Sequence, residues 1–369
     1  MTLPPSRLLT RLDTAIAAER DPFRADLLRA ERAAYWARQG QAEEARTELD
    51  ALHKRYDGRP NFEMSVWLSI AESLACYLTD IGPLAPDKMR RARALSEAAG
   101  LKPLQALSSA WLAQMDYNSH EFGQMTQHVG DALRLAAADH HAARSRANLV
   151  VGQAIHLSCR MDLATPWYKR AQEHAVAEGD EATLSAMMHN MSWLRMHVLR
   201  QEKMTGLASG AAGAHARLGF ESTVQYDNLW GLSSLEALKP ILRAQILALE
   251  GEPDKALMLF DEHLPNQPDG MLRMQCTLLA DRAWCLLEVG RSEEARVAAD
   301  VAENSILLVT DIDDRAAVHS RLAQVFGAVS EPGRAAQHLA LAGEAWRKYV
   351  TLQGEIATLL RGLVEHGPR

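Results

Sequence analysis

Two stretches of this chain, 250 residues apart, follow one plan. Ala30 to Arg46 reads AERAAYWARQGQAEEAR and Ala280 to Arg296 reads ADRAWCLLEVGRSEEAR, identical at eight of 17 positions. Each is an amphipathic helix, a Gly stop and a second helix that opens on Glu-Glu-Ala. The segment from Leu242, LRAQILALEGEPDKAL, repeats the plan. Gly251 is its stop, and Pro253 lies in the first turn of the next helix, where a missing N–H costs little. A lone hairpin of this kind leaves an apolar face in water. Only stacking on neighbours buries that face, so the repeat constrains the whole chain to an array of hairpins.

The hairpin turns fall near Gly40, Ile81, His120, Cys159, Lys203, Gly251, Gly290 and Ser330, most of them about 40 residues apart. Only the step from Lys203 to Gly251 is markedly longer. First helices carry apolar residues at i, i+3, i+4, i+7 spacing, as in Leu278, Leu279, Ala283, Leu286 and Leu287. A small residue stands seven positions before the turn and an Ala five after it: Ala33, Gly40, Ala45; Ala244, Gly251, Ala256; Ala283, Gly290, Ala295. Gly152 and Ala164 flank Cys159 in the same way. The small residues admit a close helix approach, and the Gly takes the turn geometry.

This pattern resembles the tetratricopeptide repeat, although the second, third and fifth units fit it poorly. The period exceeds the family's usual length of about 34 residues and is similar to the extended repeats of bacterial regulators and sensor proteins. The resemblance implies an all-α fold, a right-handed α-solenoid of about eight antiparallel helix hairpins with a long C-terminal capping helix. Residues 1–204 are expected to hold about five hairpins, and residues 235–369 the rest with the cap. Between them, residues 205–234 carry Gly206, Gly210, Gly213, Gly219 and Gly231 with Ala interspersed. A tightly packed helix to about Arg217 is predicted there, then a loop from Phe220 to Ser234 as a candidate hinge. Helical periodicity from Pro332 to Val364 predicts one long closing helix. Its Arg347, Lys348, Glu355 and Arg361 would face water, as a terminal unit requires.

The chain has 47 acidic and 40 basic residues and a net charge of −7, which opposes nucleic-acid binding, since that needs a basic surface to displace counterions. Cys76, Cys159, Cys276 and Cys285 show no paired spacing, so neither a disulfide framework nor a zinc ribbon is expected. No apolar run of about 18 residues occurs, and nothing after Met1 to Arg11 reads as a signal segment. A cytoplasmic protein with no membrane partner is the expectation.

No phosphate-binding, zinc-protease or serine-hydrolase motif is present. Gly206 to Gly213 follows no strand, so it is read as close packing. Asp311, Asp313 and Asp314 lack the Gly and Glu of a calcium loop and are read as helix-start charges. Six of the 14 histidines lie between His140 and His197, yet no ligand pair finds a second pair to close a shell. No cofactor, metal or catalytic residue is assigned.

The family resemblance implies that first helices line a concave groove. The matching positions are Arg146, Gln153 and His156 before Cys159, and Asn190, Trp193 and His197 before Lys203. Gln245, Trp284 and Gln324 stand before Gly251, Gly290 and Ser330. Six residues before the turn the series runs Gln153, His197, Gln245, Trp284, Gln324. Amides can bond an extended peptide and aromatics supply flat contact area. The plain alternative is a row of solvated polar residues. Arg32, Arg243, Arg282 and Arg321 form a rival series, but their offset turns them away from the groove, toward acidic residues between repeats. The family's lysine-and-asparagine carboxylate clamp has no match here. The expectation is a non-catalytic scaffold that binds a protein or peptide partner. A sensor gated by a small ligand or signal peptide is the alternative, and an enzyme in the His-rich middle the third reading. Far-UV circular dichroism of the chain should show a helical spectrum; substantial strand content contradicts the repeat.

Overall fold

The computed structural model describes residues 6–80, 82–206, 212–234, 236–266 and 272–367, and among these every regular element is helical. Helix α1 (Arg7–Ala18) precedes eight successive pairs. These are α2 (Pro22–Gln39) with α3 (Ala42–Tyr56), α4 (Phe62–Asp80) with α5 (Ala85–Ala98), and α6 (Lys102–Asn118) with α7 (Phe122–Leu135). Next come α8 (His141–Leu157) with α9 (Met161–Glu178), α10 (Glu181–Thr205) with α11 (Ala212–Trp230), and α12 (Leu238–Glu250) with α13 (Pro253–His263). The last pairs are α14 (Leu272–Glu288) with α15 (Ser292–Asn304) and α16 (Ile312–Ala328) with α17 (Pro332–Leu359); α18 (Arg361–His366) follows. No helix among the described residues is long and apolar enough to cross a membrane.

The turns explain why the pairs form. Gly40, Gly251 and Gly290 all have φ between +82° and +86°, the left-handed region that lets the chain reverse directly after a helix. His120, Cys159 and Ser330 occupy the same conformation at φ +58°, +59° and +63°, and they are the described non-glycine residues with positive φ. The predicted turn positions thus coincide with the left-handed residues even where Gly is replaced. The turn expected near Ile81 lies outside the described residues. The turn near Lys203 comes later: α10 runs to Thr205, and Gly206 is the residue with positive φ.

Close approach follows from the small residues. Ala33, Ala45, Ala244, Ala256, Ala283 and Ala295 are all fully buried. At Gly152 an added Cβ would stand 3.1 Å from the Tyr168 ring, so α8 and α9 touch there through a bare backbone.

The chain forms two compact units. One comprises Met1–Met188, Thr223–Leu235 and Ile356–Arg369; the other comprises His189–Ser222 and Glu236–Glu355. Helices α10, α11 and α17 contribute residues to both. In the first unit α2 packs on α4, and α6 on α8, over a core that includes Ile70, Leu74, Met89 and Trp111. In the second, α14 packs on both α12 and α16 around Phe260, Leu278, Leu286, Leu322 and Phe326.

Two expectations are corrected. The loop predicted from Phe220 to Ser234 is helical as far as Trp230, and Gly210 lies outside the described residues. The buried stripe of α11 is Ala216, Phe220, Thr223 and Asp227, two of them polar, so apolar periodicity does not reveal it. The closing helix also breaks at Leu360 instead of continuing to Val364, although the Leu360 N–H still bonds Ile356. Arg347, Lys348, Glu355 and Arg361 are exposed, as expected.

The turn geometry predicts a graded set of variants. A left-handed L-residue costs about 1–2 kcal/mol, so Ser330→Gly should stabilise by about 1 kcal/mol. Gly290→Ala should destabilise by a similar amount, because open space surrounds it and only backbone strain acts. Gly40→Ala should cost more, since its Cβ would meet Ser233 and Ser234 at 2.5 Å. Equal losses at Gly40 and Gly290 in denaturant titrations would contradict this account.

Candidate functional site

In the first unit a polar cluster joins four first helices. Asp180 caps α10 by accepting from the Thr183 amide and hydroxyl at 2.9 and 2.8 Å. It also takes a 2.5 Å ion pair from Arg38 at the end of α2. Burial alone would raise the Asp180 carboxyl; the Arg38 charge and these bonds hold it below the usual carboxylate range. Arg146 of α8 lies beside this pair, its guanidinium 4.0 Å from the centre of the Trp111 ring on α6. It donates to Gln114 and to the Thr183 hydroxyl, each at 3.4 Å. Gln114 in turn donates to Gln153 at 3.2 Å.

The second unit carries a different cluster. Arg200 on α10 is 1% exposed and donates to Asp314 at 2.6 Å and Asp313 at 3.4 Å. His197, one turn earlier, is hydrogen-bonded through Nδ1 to Asp313 at 2.6 Å. Burial works against the Arg200 charge, but Asp314, Asp313 and Asp281 raise its pKa further than burial lowers it. Asp314 itself is pushed up, by burial first and by Asp313 next, against the opposing Arg200. Asp281 on α14 accepts from Arg321 at 3.0 Å and from Gln245 at 3.3 Å. Arg321 stacks 3.9 Å from the centre of the Trp284 ring and donates to Gln324. Asp313 and Asp314 therefore hold α10 to α16. The helix-start reading is corrected for the cap: Asp311, the capping residue, makes no side-chain cap bond.

The predicted positions divide. Gln153 and Arg146 join Gln114 in the first cluster, and Gln245, His197, Trp284 and Gln324 join the second. His156 is buried against Tyr168 at 3.2 Å, on the face of α8 that also holds Gly152 against that ring. Asn190 and Trp193 are half-buried, and Trp193 leans on His197 with ring centres 4.9 Å apart. Gln324 is exposed. Sequence reasoning missed Arg38, Trp111, Gln114, Thr183 and Asp281; Arg200 falls three residues before Lys203, at the groove offset. Gln114 had a signal, since it stands six residues before His120, at the offset of the amide series.

The rival arginines are paired: Arg32 with Asp13 and Glu48, Arg243 with Glu221, Arg282 with Asp261, and Arg321 with Asp281. For Arg321 the expected turn away from the groove residues is corrected, since it is buried against Trp284 and bonded to Gln324. A surface cavity of about 400 Å³ in the second unit, lined by Phe220, Ile246 and Leu259, has pairs Arg243–Glu221 and Lys255–Glu252 on its rim. Burial pushes the Cys276 and Cys285 thiols up to about 12, which leaves them protonated and poor nucleophiles. Among the described residues no three or more His, Cys, Asp or Glu side chains gather as metal ligands would. Compared with models of known protein families and with curated proteins, the chain matches none.

Several polar atoms on the first-helix faces are buried without a hydrogen-bond partner. Those in the second cluster are Arg200 Nε, His197 Nε2, Thr277 Oγ1 and Gln245 Oε1, with Glu202 Oε2 and Glu250 Oε2 elsewhere on the same helices. Those in the first cluster are Arg146 Nε and Gln153 Nε2, with Arg32 Nε elsewhere on α2. Such atoms are rare in native proteins, and each calls for water or a ligand.

Two histidines give a pH prediction. His174, in contact with His141 at 3.0 Å, and His319, in contact with His338 at 2.8 Å, are both lowered to about 4, chiefly by burial. The unfolded chain takes up these protons near 6.5 and the folded chain does not. Stability should therefore fall as pH drops from about 6.5 to about 4, with a slope approaching about 3 kcal/mol per pH unit from the two together. Urea titrations of the double variant His174→Gln, His319→Gln should show most of that slope gone; an unchanged slope would refute the assignment.

Proposed function

We propose that the chain is a non-catalytic recognition protein of helical-repeat type, with the pairing order and right-handed sense that the tetratricopeptide resemblance implies. Its first helices receive a segment of a protein or peptide partner. One observation supports this most directly: the second unit leaves a donor (Arg200 Nε), an acceptor (Gln245 Oε1) and a hydroxyl that can serve as either (Thr277 Oγ1) unmatched on neighbouring helices. A peptide group offers one N–H and one C=O, so an extended segment answers both needs. Half-buried Trp193 and Trp284 supply flat aromatic area beside these atoms, the type of side chain that dominates recognition energetics. The cytoplasm is the compartment that fits free thiols.

A regulatory sensor is the second reading. Its support is burial: Arg146, Gln153 and Gln245 are enclosed, as suits a small ligand or peptide end that is sealed in on binding.

The test uses a photo-crosslinking amino acid at exposed Gln324, incorporated in cells. One discrete cross-linked partner or peptide is expected. Trp284→Ala should lower its affinity about tenfold or more while circular dichroism stays unchanged. No discrete product, or a product indifferent to Trp284→Ala, would overturn the reading.

A further inference from the structure

We infer that the first unit holds a carboxylate-binding site, in which Arg146, with Gln153 beside it, receives a single carboxylate group of the ligand. This deepens the recognition reading and rests on it.

Charge comes first. The cluster contains two guanidiniums, Arg38 and Arg146, and one carboxylate, Asp180. Arg38 takes Asp180 at 2.5 Å, and among the described residues no carboxylate forms an ion pair with Arg146. Arg146 is only 5% exposed. Burial and the neighbouring Arg38 charge pull its pKa down to about 9, so it remains a cation at neutral pH. A buried cation without a counter-charge is costly, and a ligand bearing one negative charge balances this one.

Hydrogen-bond polarity comes second. A guanidinium only donates, so Arg146 fixes the Gln114 amide with its oxygen inward. Gln114 must then present its NH2 to Gln153, which answers with its oxygen at 3.2 Å. The Gln153 NH2 is left over, 1% exposed and without a partner, like the Arg146 Nε–H. Both free groups are donors, joined through one amide. The second unit's free atoms are mixed; these accept nothing and ask for an acceptor. The existing bonds of Arg146 are long, 3.4 Å each, and yield readily to an oxyanion held through Nε and an adjacent η nitrogen. Trp111 offers its face to both guanidiniums, at 4.0 and 5.6 Å, which lowers the cost of holding them together. One residual positive charge matches a carboxylate better than a phosphate, which carries nearly two negative charges.

Thermal unfolding of the full chain in sodium acetate or sodium succinate, against sodium chloride at equal ionic strength, tests this. A saturable rise of roughly 2–4 °C is expected. Arg146→Met should abolish the rise and, in chloride, leave the chain at least as stable as the parent. Gln153→Leu should keep the fold and move the half-saturating concentration upward severalfold. A tetra-alanine peptide with a free C-terminus, compared with its amide, identifies the source. A rise with the free peptide alone points to a chain terminus, and a rise with the small acids points to a metabolite. No saturable rise, a rise that persists in Arg146→Met or is unmoved in Gln153→Leu, or a larger one in sodium phosphate overturns the assignment. A carboxylate-blind chain that still cross-links its partner through Gln324 sinks this site while leaving the recognition reading intact.

Discussion

A helix hairpin closed by a connection of two or three residues needs one residue that can reverse the backbone immediately after the first helix. The left-handed conformation does this, and everything else in each repeat is measured from that point. The small residue seven positions earlier and the Ala five positions later come to the helix interface because the reversal fixes their register. Gly is the least strained residue there. At His120, Cys159 and Ser330 the chain accepts the strain of an L-residue in return for the same register, and the ring of His120 stacks on Phe122 at 5.4 Å. The period survives in those units although the glycine does not.

The polar clusters ask for a different explanation from the apolar core. Arg200 with Asp313 and Asp314, and Arg146 with Arg38 and Asp180, are removed from water inside helical arrays that apolar residues of similar volume would hold at least as well. Stability alone does not account for them. Their unmatched atoms differ in kind: donor and acceptor in the second cluster, donors only in the first. Gln153 and Gln245 stand at one offset before their turns, yet the first leaves its NH2 unmatched and the second its oxygen. The same side chain at the same place in the repeat thus shows opposite polarity, set by its neighbours.

The hairpin order was legible because each turn left a mark in the sequence, and the turn read at Lys203 was misplaced by three residues, its mark being Gly206 at the start of a Gly/Ala-rich stretch. Helix α1 left fainter marks: Ser6 accepts from the Leu9 amide, and Asp21 before Pro22 starts α2. Helix α11 was hidden in part because Thr223 and Asp227 share its buried stripe, and Asp227 satisfies Ser185 at 2.5 Å. Of the candidate site, the amide offset was visible and led to Gln153 and Gln245. Which atoms of those amides are matched was not visible, since that depends on residues far apart in sequence: Arg200 meets Asp314 across 114 positions, and Arg38 meets Asp180 across 142.

Most packing in this chain joins helices that are neighbours in sequence; helix α1 packs on α2 in this way and also reaches far along the chain. Arg7 and Ser6 reach Glu181, Arg11 reaches Glu178, and the Leu8 amide bonds the Gly179 carbonyl. A ribosome releases the chain from its N-terminus, so the hairpins from α2 to α9 can close one after another as they emerge. Helix α1 can lean on α2 as soon as both exist, but its polar anchors come only with the segment around residue 180. Until then the apolar cluster of Leu8, Leu12 and Tyr35 lacks Ala182, so the seating of α1 is finished by residues made long after it.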